Sequence, residues 1–254
     1  MQTSGRWPDR LSGWIGDYLM RPIVGYAPPV AYSAAQLGAV LQPGDVLLVE
    51  GNLRISSLIK YITQSTWSHV ALYVGPQPGS PADDPPVLVE AELDDGVILS
   101  PLSKYVSFHT RICRAIGLRP DDRERIVSHA LGRIGHGYDF KNVIDLARDR
   151  LSGPSVAATI KRGLQRLGSG ESTRAICSTL IAQAFQSVRY PILPTRRATP
   201  CRNASSKDDC VDETWEARHF SMFAPRDFDV SPYFTVIKPP PADDFDYTQV
   251  RWAS

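Results

Sequence analysis

Between Pro43 and Ala115 the sequence offers five short apolar segments, VLLVE, SHVALYVG, VLVEA, GVILS and TRICRA, and from Asp121 the apolar spacing switches to a helical period. That switch constrains the fold more than any other feature. A run of strands followed by a run of helices specifies an α+β architecture, with the sheet and helices segregated along the chain. Pro43-Gly44 supplies a turn before the first strand, and Asp94-Asp95-Gly96 supplies one between VLVEA and GVILS. The economical assembly is a small antiparallel sheet.

Interruptions in the pattern set the remaining elements. ISSLIKYI places Ile55, Leu58, Ile59 and Ile62 at the spacing of a short amphipathic helix, so a strand-helix unit leads into SHVALYVG. PQPGSPADDPP, at 76–86, is too rich in proline for a helix interior or a central strand and reads as an exposed loop. Beyond it, Ile126, Val127, Ala130, Leu131 and Ile134 define a helix with Asp121 or Asp122 as N-cap, ending near Gly135 or Gly137. The stretch 141–174 is helical in composition but broken at Ser152-Gly153-Pro154 and Gly168-Ser169-Gly170, which reads as an inserted helical pair. A further helix is expected to begin at Cys177, burying Leu180, Ile181, Ala184, Phe185 and Val188. After Pro191 the chain turns proline-rich and polar until SPYFTVIKP, which reads as a terminal strand.

Composition excludes several classes. A formal net charge of +1, without an aromatic-basic pattern, gives no reason to invoke nucleic acid. Cys113, Cys177, Cys201 and Cys210 have neither zinc-type spacing nor the density of a disulfide scaffold, so a reduced compartment, the cytoplasm, is favoured and no metal or cofactor is expected. A bridge between Cys201 and Cys210 stays open. The first residues lack a basic start and an uninterrupted apolar core, so they read neither as a signal peptide nor as a membrane span. Trp14, Ile15, Tyr18, Leu19 and Ile23 form one helical face that rests on the protein body or on a membrane surface. The basic helix carrying Lys161, Arg162 and Arg166 is the second candidate for peripheral membrane contact.

Cys177 opens the run CSTLIAQAF, a thiol set where a helix should start. The positive end of a helix or a nearby imidazolium lowers a thiol from its ordinary pKa of about 8.5, whereas a buried cysteine is simply a small hydrophobe. A nucleophile of this kind needs a base and a group that orients the base. His109, His129, His136 and His219 stand where solvated or capping roles are ordinary. His69, at the start of the buried strand, is the candidate base, with a backbone-satisfied histidine as the alternative. Glu90 interrupts an apolar strand, sharing a face with Leu88 while Val89 and Ala91 point the other way. A buried carboxylate requires a partner, so Glu90 is the candidate orienting group, ahead of Glu50 and Glu92 beside loops.

Five pieces in order, PGDVLL at 43–48, TQSTWSHVALYVG at 63–75, VEA at 89–91, YDF at 138–140 and CSTLI at 177–181, resemble the YiiX/YebB-like group of permuted, NlpC-type papain-fold cysteine hydrolases. Ala224-Pro225 and Asp227-Phe228 are similar to that group's closing element. The order His69, Glu90, Cys177 is the permuted one. The resemblance implies a papain-like sheet or open barrel against the cysteine helix, with Cys177 as nucleophile, His69 as base and Glu90 as its orienting residue. The oxyanion is then expected to meet the backbone N–H of Cys177 at its helix start, with Tyr138 as the helping side chain and Asp45 and Asp139 as structural motif residues. The implied domains are an extension at 1–40, partly helical, a hydrolase domain at 41–238 with a helical insertion at about 141–172, and a tail at 239–254. The implied activity is an amidase or peptidase working through an acyl-enzyme on a small amide, peptide or acyl substrate. The alternatives are an acyltransferase or thioesterase acting on lipid acyl groups, and a silent binding module.

Overall fold

The computed structural model of the protein describes residues 21–136, 170–200, 211–240 and 246–249, apart from positions 24, 30, 93 and 94. Six strands form one antiparallel sheet: β1 (Val46–Glu50), β2 (His69–Tyr73), β3 (Pro86–Glu92), β4 (Gly96–Pro101), β5 (His109–Ala115) and β8 (Phe234–Ile237). Their spatial order is β4-β3-β2-β1-β5-β8. Helix α1 (Ala34–Val40) precedes β1, α2 (Arg54–Thr63) links β1 to β2, and α3 (Pro120–Leu131) follows β5. Next come α4 (Gly170–Ser187), a hairpin of β6 (Thr195–Pro200) with β7 (Val211–Glu216), and the short α5 (Pro225–Asp229).

The near-continuous apolar character of the strands has a direct cause, because the sheet is covered on both faces. Val46, Leu48, Val70, Leu72, Val89 and Ala91 meet Leu180, Ile181, Ala184 and Phe185 of α4 in one core. Leu47, Val49, Ala71, Tyr73, Leu88 and Ile112 meet Leu37 of α1 and the single turn Leu102–Tyr105 in the other. Phe185, wholly buried, packs its ring against those of Tyr190, Phe228 and Phe234 at centroid distances of 5.6, 6.3 and 5.2 Å. Burial of such a ring contributes about 1.5–3 kcal/mol, and this cluster ties the C-terminal strand to α4.

Asp45 locks the start of β1. Its carboxylate accepts from the Gln42 amide at 2.8 Å and from Arg114 Nε and Nη2 at 2.9 and 2.7 Å. The loop ahead of His69 is fixed by close approach. Gly51 donates its N–H to Ser68 Oγ at 2.9 Å, and a Cβ at position 51 would lie 2.8 Å from that oxygen while colliding with Ser56. Only glycine fits there.

Three expectations change. Helix α4 starts at Gly170, so Cys177 lies about two turns inside it rather than at its N-terminus. The turns before Cys177, GESTRAI, carry little apolar periodicity, and that pattern alone had suggested a later start. In α3 the first residue is Pro120, and Arg119 occupies the cap with no side-chain bond, so neither Asp121 nor Asp122 is the N-cap. Proline is preorganised for the first helical position, and Asp122 instead pairs with Arg119 and Arg125. The polar region after Pro191 contains the β6–β7 ribbon. Tyr138, Asp139, the insertion at 141–172 save its last residues, the basic helix, Cys201, Cys210 and the helical face at 14–19 all lie outside the described residues.

Candidate active site

His69 is the first residue of β2, opposite Val49 of β1, and sits at the lip of the sheet. Glu90 lies on the adjoining strand β3 and is wholly buried, sharing the Leu88 face, while Val89 and Ala91 enter the opposite core. The His69 Nε2 atom is 2.5 Å from Glu90 Oε2. With Nε2 engaged, Nδ1 is the nitrogen left for Cys177, and the Cys177 side chain hydrogen-bonds to the ring. The three residues singled out in the sequence therefore meet in space.

Glu90 has further partners. Lys104 Nζ donates to Oε1 at 2.7 Å and also bonds Glu92, while the Tyr105 hydroxyl donates to Oε2 in a very short contact. The buried carboxylate thus accepts from an imidazole, an ammonium and a phenol, which answers its need for partners. Although burial works against its charge, His69 and Lys104 hold the Glu90 carboxyl well below the usual carboxylate range. Burial and the neighbouring Glu90 raise the Tyr105 hydroxyl well above 10, so it stays a donor.

The same charge acts on the imidazole. Burial alone would favour neutral His69, yet its bonds to Cys177 and Glu90 raise it from 6.5 to about 10. The ring is thereby held protonated between the Glu90 carboxylate and the Cys177 side chain. The positive end of a helix contributes nothing here, because the dipole effect is confined to the first turn. For the same reason the Cys177 N–H is spent within α4 and is not free to meet an oxyanion.

The other candidates separate cleanly. Glu50 bonds Lys60 at 2.8 Å and His109 at 3.2 Å, and the His109 ring also packs at a tilt against Trp67 with centroids 5.0 Å apart. His219 caps the turn at Phe220–Met222, His136 is exposed, and His129 sits half-buried on α3. Cys113 is buried, and that burial pushes its thiol up to about 12. Lys104 and Tyr105 were missed in the sequence. They come from a single turn with no periodicity, and the one available signal was the requirement that Glu90 find partners.

The class that this arrangement suggests has an independent counterpart. Residues 40–151 match the family model described as permuted papain-like amidase enzyme, YaeF/YiiX, C92 family, a group of hydrolases of amidase kind. The fold class is accordingly α+β and permuted papain-like, as the motifs implied. His69 and Glu90 fall inside the matched stretch and Cys177 beyond it. Among solved structures, metalloprotein yiiX from Escherichia coli O157:H7 is similar at 15% identity and a TM-score of 0.45, over 78% of this chain and 97% of that chain. No curated protein matches. Among the described residues, no three His, Cys, Asp or Glu side chains gather as metal ligands, and no helix is long and apolar enough to cross a membrane.

Proposed function

We propose that the protein is a cysteine amidase or peptidase in which Cys177 attacks a carbonyl, His69 moves the proton and Glu90 holds His69 in place. The observation that carries this reading is the His69 ring bonded to both Glu90 and Cys177. The Cys177 sulfur adds to the carbonyl carbon of an amide or ester. Collapse of the tetrahedral adduct breaks the bond to nitrogen or oxygen, and imidazolium His69 gives its proton to that leaving group. The resulting thioester is hydrolysed by a water that loses its proton to His69, and the proton returns to the departing sulfur. Glu90 stays ionised throughout and fixes the ring tautomer. Tyr138, on its motif alone, is the proposed oxyanion donor, since the Cys177 N–H is engaged in α4.

The direct test is alkylation with iodoacetamide at neutral pH, read by peptide mass mapping. Cys177 is expected to react faster than a model thiol while Cys113 stays unmodified. Reaction no faster than the model thiol overturns the reading. Incubation with a p-nitrophenyl ester should leave one acyl group on Cys177, and Cys177→Ala should abolish both the adduct and turnover.

A further inference from the structure

A concavity opens at the far end of the cysteine helix. Gln186, on its wall, is nine residues beyond Cys177, about 13 Å of helix rise. The pocket is about 600 Å³, within the range of small-molecule sites. Four aromatic side chains, Tyr190, Trp215, Phe223 and Tyr233, line it beside aliphatic and proline residues, and Trp215 is 60% exposed. Tyr190 is anchored by its hydroxyl, which lies 2.8 and 2.6 Å from the carbonyl oxygens of Ile116 and Tyr233 and shares its one hydrogen between them. An open aromatic cleft with a large exposed indole is a poor surface to leave in water unless something occupies it.

Two guanidinium groups give the pocket its sign. Arg218 stacks on the Phe223 ring, 4.8 Å from the centroid, and sits 3.6 Å from Asp227. Arg189 also lines the cavity and makes no ion pair among the described residues. Its backbone is unusual, with φ of 58° at the position where α4 ends. Tyr190 N–H reaches the Phe185 carbonyl and Arg189 N–H that of Gln186, the helix stop that normally selects glycine. Arginine there bears a conformational cost that glycine would avoid. Capping does not explain the choice, because those carbonyls are already served by backbone N–H groups.

We infer that this pocket binds an aromatic carboxylate, its ring stacked among Trp215, Tyr190 and Tyr233 and its anion met by Arg189 at the rim. The site is separate from Cys177 and does not rest on the hydrolase reading.

Calorimetric titration of the full chain with sodium 2-naphthoate tests it, performed in parallel on Cys177→Ala. Saturable one-to-one binding is expected in both proteins. Arg189→Gln, at an exposed side chain, and Trp215→Ala should each weaken binding about tenfold, the loss expected of one charge-assisted bond or one stacked ring, and 2-naphthylmethanol should bind at least about tenfold more weakly than the carboxylate. Circular dichroism checks that each variant is folded. Absence of saturation up to millimolar naphthoate overturns the inference. So does affinity unchanged in both variants, or equal affinity for the uncharged alcohol.

Discussion

The two halves of the candidate site are held by different forces. His69 and Glu90 are fixed by directional bonds: one buried carboxylate with three donors, two of them on the single turn Leu102–Tyr105. Cys177 is fixed by shape, on a helix whose Leu180, Ile181, Ala184 and Phe185 are fully buried against the sheet. His69, the proposed base, is therefore vulnerable to a change of charge that leaves volume intact, and Cys177, the proposed nucleophile, to a change of volume that leaves charge intact. That distinction is measurable, since each kind of substitution should spare the signature of the other half.

The largest effect expected is His69→Ala, which removes the proposed proton carrier and should lower ester hydrolysis on the order of 10²–10⁴-fold, read from initial rates. Glu90→Gln keeps the shape but leaves Lys104 without a buried counter-charge. Denaturant unfolding should show a loss of about 3–5 kcal/mol, and the His69 ring should titrate below the wild-type value of about 10 by NMR. Leu180→Ala empties a wholly buried site on the packing side and should cost about 2–5 kcal/mol while moving the His69 titration less than Glu90→Gln does. A titration that moved as far as in Glu90→Gln would erase the contrast between the halves. Tyr105→Phe removes one of three donors to Glu90 and should cost about 1 kcal/mol by the same unfolding measurement.

Stability should also depend on pH with two signs. Glu90 is depressed from 4.5, so its contribution is complete above about that pH and is lost as pH falls through the folded value. His69 is raised, so its contribution is complete below 6.5 and is lost as pH rises toward about 10. Melting temperatures of wild type and Glu90→Gln, compared from pH 3 to 10, should therefore differ most between about 4.5 and 6.5 and the difference should narrow toward both extremes.

The same contrast explains what was legible in the sequence. The central strands of the main sheet announce themselves, because burial on both faces forces apolar runs such as VLLVE and HVALY. Glu90 was legible as a break in such a run, and His69 as a polar residue at the head of one. The first turns of α4 were not, since the apolar period begins only near Cys177 whereas the backbone helix begins at Gly170. Strands β6 and β7, TRRATP and VDETWE, pair through backbone bonds and carry no alternation to read. Lys104 and Tyr105 sit on a turn too short for any period, and their role exists only through a residue fourteen or fifteen positions earlier.

The order of residues along the chain has a consequence for biogenesis. His69, Glu90, Lys104 and Tyr105 all belong to one contiguous stretch of strands and turns, whereas the thiol arrives with a helix far downstream. In a polypeptide emerging from the ribosome N-terminus first, the imidazole and its anchors can assemble before the sulfur has been synthesised. On the proposed roles, the nascent chain would then stay chemically inert until α4 docks, and reactivity would appear only together with a completed core.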